Sequence, residues 1–421
     1  MRFRLAAGVA LAILAGLALW AGYRHHAGRV SDEAIGQFLA RHWASPIAPQ
    51  GTPPATHAPD EASLDPARCG LCHTVQLVDW RTSLHSRAFG PGLAWQLHTF
   101  DQSQGNDCLR CHAPLAEQKA LAARERGWPN APATEPPAWV PPDLHRQGLV
   151  CAACHVRAHQ RYGPERRPGS PEAAPGTRLP HGGATRNAAF SDSRFCATCH
   201  QFPPEGRRVN GKLLENTYEE WRGSRHAREG RHCQGCHMPE RRHLWRGIHD
   251  PEMTRQALHR ELRVQRVDAG RINVTVTLAN RGAGHYLPTY VVPKILVNAY
   301  LIGPGMHVLV GHHVIGRTVD VALANEVSDT RLPPDGRHEL NFDVKVPPGA
   351  WRVVLRTEVA PAEHYERFFR DVHQRRTDLD AETRGQLEEA LARAGATRYR
   401  LAEIDLAVPQ ADGARVEGVA N

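Results

Sequence analysis

Ten cysteines stand in this 421-residue chain, and every one belongs to the same short pattern. The five copies are Cys69-Gly-Leu-Cys72-His73, Cys108-Leu-Arg-Cys111-His112, Cys151-Ala-Ala-Cys154-His155, Cys196-Ala-Thr-Cys199-His200 and Cys233-Gln-Gly-Cys236-His237. C-x-x-C-H is the pattern of covalent c-type haem attachment. Two thiols three positions apart reach the two vinyl groups of one porphyrin, and the adjacent histidine swings beneath the ring to bind iron. Zinc sites or five disulfides would use the cysteines but leave the five following histidines unexplained. A thioredoxin-like motif needs one cysteine pair, not five. The sequence therefore predicts five covalently attached haem c groups, with His73, His112, His155, His200 and His237 as proximal iron ligands.

The other side of each iron decides its chemistry. A second histidine makes a low-potential electron carrier, methionine raises the potential, and an open position admits substrate. Methionine is nearly excluded: the chain has four, and Met238 follows proximal His237 directly. Histidine is plentiful at 26. The candidate distal ligands lie in or beside the motif segment. His85 and His226 each end a W-x-x-S-x-H stretch, which predicts two similar helices presenting a ligand. His145 and His181 bracket the third motif, the latter in a Pro/Gly-rich loop. His243 and His249 follow the fifth motif, and His285 sits in the glycine-flanked turn Asn280-Arg-Gly-Ala-Gly-His285-Tyr-Leu-Pro288. His25 and His26 flank the N-terminal segment, while His312, His313 and His338 fall in a later, motif-free region; these are read as ordinary polar side chains.

The elements that position these groups must be short. First cysteines are 37 to 45 residues apart, too uneven for a stacked repeat and too close for conventional cores between them. Aromatics are only 6%, so the haems themselves are expected to fill the interior of residues 61–258, wrapped by short helices and loops. Thr217-x-x-Glu220 resembles a capping box that starts the helix before His226. Residues 24–60 read as a short helix (Asp32 to Trp43) and a Pro-rich spacer. Beyond about residue 260 the period changes to two. Glu261–Val267, Arg271–Leu278, Leu340–Val346 and Trp351–Val359 alternate as half-buried strands do. They predict an antiparallel, β-sandwich-like domain over 259–361. Residues 362–421 add a helix (Asp380 to Ala394) and a strand (Tyr399 to Val408). The fold class is thus α+β.

Residues 1–23 open with Met1-Arg-Phe-Arg4 and continue apolar or small from Leu5 to Gly22, the pattern of a signal peptide or transmembrane signal anchor. The net charge of +8 comes mostly from scattered arginines with no groove-reading motif, which argues against nucleic acid.

Residues 69–290 resemble the multihaem cytochromes of the cytochrome c-554 type. The carrying features are Trp80-x-x-Ser83-x-His85, Cys108-x-x-Cys-His-Ala-Pro114, Gly148-Leu-Val-Cys151-Ala-Ala-Cys-His155, Thr217-Tyr-Glu-Glu-Trp221, Cys233-Gln-Gly-Cys-His-Met-Pro239, Gly247-Ile-His249-Asp-Pro251 and Gly284-His285-Tyr-Leu-Pro288-Thr289. The resemblance implies mostly bis-histidine ligation and periplasmic electron transfer. This chain departs from the four-haem carrier by a fifth motif and a long C-terminal extension. It also lacks the Cys-x-x-Cys-Lys of pentahaem nitrite reductases. The leading expectation is electron transfer from a quinol-linked membrane donor to a periplasmic or outer-membrane acceptor, with the chain periplasmic and anchored to the inner membrane by its N-terminal helix. The rival is an oxidoreductase acting on a small nitrogen or sulfur compound at one five-coordinate haem.

Overall fold

The computed structural model describes residues 31–420. The signal or anchor segment over 1–23 lies outside the described residues. Among those described, no helix is long and apolar enough to cross a membrane. Residues 31–42 are helical, as expected for the stretch from Asp32.

The motif-bearing half is built from short pieces. Its helices include α1 (Thr74–Thr82), α2 (Pro91–Thr99), α3 (Gln102–His112), α4 (Ala116–Arg126) and α5 (Thr217–Arg222). Local signals explain where several start and stop. Asp101 caps α3 by accepting from the Gln104 N–H, and Gln104 bonds back to Asp101, a reciprocal cap. Helix α4 ends at Gly127 in the left-handed conformation (φ 63°), where glycine carries no Cβ penalty. Small apolar clusters hold these pieces, for example Leu64, Trp80, Leu115, Leu144 and Val150. No single large side-chain core runs through this half.

The C-terminal half has one. Strands β1 (Leu258–Asp268), β2 (Arg271–Asn280), β3 (Lys294–Gly303), β4 (Met306–Ile315), β5 (Arg337–Lys345), β6 (Arg352–Ala360), β7 (Tyr399–Ala407) and β8 (Arg415–Ala420) form two four-stranded sheets. Their orders are β5-β2-β1-β8 and β7-β6-β3-β4, antiparallel throughout. Alternate residues point inward: Leu262 and Val264 of β1, Ile272, Val274, Val276 and Leu278 of β2, Ile295 and Val297 of β3, Val353 and Leu355 of β6. This is the sandwich that the period of two predicts.

Between β6 and β7 the chain leaves the sandwich as a helical hairpin, α6 (Glu363–Arg375) and α7 (Ala381–Gly395). The hairpin packs back onto α2 through Trp95, Phe369, Leu387 and Ala390. The C-terminal residues then return to both sheets, β7 beside β6 and β8 beside β1. One chain end therefore serves the sandwich and walls the motif-bearing half.

Candidate haem cavity

Each motif occupies about one helical turn: Pro66–Cys69 and the turn after it, the end of α3, Cys151–His155, Arg194–His200 and Cys233–His237. The pattern i, i+3, i+4 places both thiols and the imidazole on one helix face. All fifteen motif residues line a single internal cavity of about 3680 Å³. That is several times the roughly 300–1,000 Å³ of a small-molecule pocket. The ten thiols are all free of disulfides.

Neighbouring motifs touch. The Cys69 and Cys151 thiols are hydrogen-bonding neighbours, as are Cys111 with Cys199 and Cys196 with Cys233. Cys154 lies near Cys196 and Cys199. The motifs therefore connect in the order first, third, fourth, with the second and fifth both beside the fourth. Arginines, among them Arg87, Arg161, Arg186, Arg241, Arg246 and Arg281, line the same space and suit the carboxylates of a haem. A thiol pair and a histidine at each of five points, arginines between them and one continuous cavity fit haem c.

The proximal rings are oriented for metal. His112 Nδ1 donates to the Ala88 carbonyl at 2.6 Å, His155 Nδ1 to Tyr162 at 2.8 Å and His237 Nδ1 to Arg246 at 2.6 Å. A proton fixed on Nδ1 leaves Nε2 as the ligand atom. Burial pushes His155 and His237 down to about 4, so both are neutral and available to iron at any ordinary pH.

Three proximal rings face a second imidazole. The ring centres of His200 and His85 are 6.3 Å apart, those of His155 and His243 6.1 Å, and those of His237 and His285 6.3 Å. Two nitrogen–metal bonds of about 2 Å each, with the rings beyond them, put the ring centres about 6 Å apart. His243 and His285 each engage a nearby carbonyl through Nδ1, at 3.0 and 2.8 Å, the same tautomer as the proximal set. His85 is pushed down to about 3, chiefly by burial. Trp245 stands edge-on to both His85 and His243. His73 is lowered by burial and then by its neighbour His181, whose Nδ1 engages the Gly183 carbonyl at 2.8 Å. Among the described residues neither His73 nor His112 has a ring contact to a second histidine of the kind the other three show, and His73 alone has an uncommitted neighbour in His181.

His145 departs from the expectation. It lies outside the cavity wall, buried against Glu125, with Nε2 2.5 Å from the carboxylate and a ring contact to Phe89. That bond takes up Nε2, and the ring does not reach the lining of the cavity. His226 and His249 line the cavity without facing one of the five proximal rings. His226 is buried with Nδ1 unpartnered, and Gly284 packs on its Cβ. Two cavity histidines escape the sequence reading, His232 and His364. His232 Nδ1 accepts from the Ser193 N–H at 3.2 Å, which puts its proton on Nε2 and disqualifies that nitrogen as a ligand. His364 is buried, lowered to about 4 chiefly by burial, and carries an unpartnered Nδ1. Its helix was readable from the Tyr365, Phe368, Phe369, Val372 spacing.

Comparison with known proteins agrees with the geometry. Residues 68–130 match the family described as cytochrome c554 and c-prime. No curated protein matches the chain. Among solved structures, a penta-heme cytochrome c552 from Thermochromatium tepidum shares the fold, with a TM-score of 0.56 at 18% identity, over 83% of this chain and 100% of that one. The stretch that carries the first two motifs is thus similar to the cytochrome c554 family, and the chain shares its fold with a penta-heme cytochrome.

Proposed function

We propose that the protein carries electrons through five covalently bound haems, from a membrane-linked donor to a periplasmic or extracellular acceptor. The observation that carries this reading is the single cavity into which all five motifs open, with thiols of the first and third, second and fourth, and fourth and fifth motifs in contact. Haem c, when bound, supplies an iron that takes up and releases one electron. The chain's residues do the rest. Paired cysteines would hold each group covalently, Nδ1–carbonyl bonds set the His112, His155 and His237 rings, and His85, His243, His285 and His181 would hold iron together with His200, His155, His237 and His73. The N-terminal apolar segment favours export and attachment to the inner membrane, where a quinol-linked donor would sit. Haem quantification against protein, with a redox titration of the same sample, tests the reading. Five equivalents titrating together are expected; fewer than five would sink it.

His112 favours a second reading. Because no histidine faces it among the described residues, the second motif is the place where a small nitrogen or sulfur compound would bind iron. Electron paramagnetic resonance of the oxidised protein decides this. One high-spin haem in five supports it, and five low-spin haems refute it.

A further inference from the structure

A line of oxygen atoms crosses the wall of the cavity next to the second motif. Glu215 meets the Thr217 hydroxyl, the Thr217 and Thr289 hydroxyls are 2.7 Å apart, and Thr289 Oγ1 lies 2.9 Å from Glu220 Oε2. Three hydrogen bonds need three hydrogens, and two hydroxyls provide two. The third must sit on a carboxyl group. Glu220 is the wrong one, since Arg331 donates to its Oε1 at 3.0 Å and the Tyr286 N–H to its Oε2 at 3.2 Å. Glu215 has no basic side chain bonded to it; burial pushes its carboxyl up, against the opposing pull of nearby His200 and the Thr217 hydroxyl and N–H. With the proton on Glu215 the line is complete and directional: Glu215 donates to Thr217, Thr217 to Thr289, and Thr289 to the Glu220 carboxylate.

The two ends open on different spaces. Glu220 borders a surface hollow of about 450 Å³ shared with Arg225, Arg228 and Asp335. Glu215 lines the haem cavity together with Tyr290, Tyr365, Cys108 and Cys111. Tyr365 is 38% exposed, yet it faces the cavity and its hydroxyl neighbours that of Tyr290. Around them the wall is apolar, with Phe202, Leu214, Val291 and Val292.

We propose that Glu215 stands protonated in the cavity wall and delivers protons to a small oxygen-bearing nitrogen or sulfur compound bound beside the second motif, with resupply through Thr217 and Thr289 from the hollow at Glu220. This rests on the second reading above. Releasing one oxygen of such a compound as water takes two electrons and two protons. The electrons come from a redox partner protein, and the protons pass along this line, each hydroxyl accepting one hydrogen as it gives one up. A carrier of electrons alone has no need of such a line.

Infrared difference spectroscopy of the haem-loaded protein, reduced minus oxidised and with carbon monoxide as the probe ligand, tests it. A carboxylic C=O band is expected, lost in Glu215→Gln, shifted in Thr217→Val and restored in Thr217→Ser. Haem content and circular dichroism confirm that each variant is folded. A C=O region unchanged by Glu215→Gln overturns the proposal even if carbon monoxide binds. Failure of carbon monoxide to bind while the Glu215 band persists overturns the open second-motif reading and, with it, delivery to a ligand there.

Discussion

Arg331 and Glu220 meet at 3.0 Å with both side chains buried, 8% and 5% exposed. The pair joins the sandwich half to α5, and the same carboxylate receives the Tyr286 N–H and the Thr289 hydroxyl on either side of the cis Leu287–Pro288 bond. It therefore positions the loop that carries His285. Arg331→Met leaves a buried carboxylate without its partner, which costs about 3–5 kcal/mol. A lowered midpoint in urea denaturation is expected, together with a weakened low-spin signal from the fifth haem. An unchanged midpoint would show that the pair is not buried in solution.

Exchange of a facing histidine should change one haem at a time. His285→Ala and His243→Ala are each expected to convert one low-spin haem to high-spin, read by electron paramagnetic resonance with haem content constant. His145→Ala is the contrasting case. Its ring is held by Glu125 outside the cavity, so the spectrum should keep its native shape. A new high-spin signal in that variant would contradict the placement.

The same pair gives a pH dependence. The bond from His145 holds the Glu125 carboxyl at about 2, below its ordinary value of 4.5. A carboxyl lowered on folding contributes stability that is fully present above the unfolded value and lost as pH falls through the folded one. Native protein should therefore lose stability between about pH 4.5 and 2 more steeply than Glu125→Gln. Thermal melts of the two across that range supply the comparison, and parallel curves would remove Glu125 as the cause.

Phe369 anchors the helical hairpin against Trp95 of α2, with ring centres 5.9 Å apart, and stacks on Tyr365 at 5.7 Å. Phe369→Ala removes a buried ring at a cost of about 3–5 kcal/mol. Because this hairpin walls the cavity near the second motif, the variant should also admit added cyanide to that region faster than native protein does. Equal melting temperatures would rule out the anchoring role.

What could be read from the residues followed the range of the interactions. The C-x-x-C-H motifs were legible because thiols and ligand share one helical turn. The strands over 261–278 and 340–359 were legible because alternation is local, and the structure extends each by only a few residues. Lys294–Gly303 was missed: Ile295-Leu-Val297 runs three apolar residues together and hides the period. Distal partners were legible as a set but not as pairs, since His85 meets His200 across 115 positions, a relation no local spacing encodes. The place of His145 was not legible for the same reason, because its Glu125 partner comes from a different helix. The W-x-x-S-x-H echo gives different local structures: Ser83 Oγ donates to the Trp80 carbonyl at the end of α1, whereas Ser224 accepts from the Ala227 N–H at the start of the short helix Arg225–Arg228.

The order of the chain gives the cavity a history. Every cysteine precedes residue 237, whereas the walls made by Tyr290, Tyr365 and Phe369 come later. During N-to-C synthesis the thiols emerge first, while one side of their enclosure does not yet exist. A bulky, rigid porphyrin can then enter from that side, and the sandwich and hairpin close afterwards around what is already attached. On this order the C-terminal extension would act as a late door, and premature closure would be a route to incompletely loaded protein.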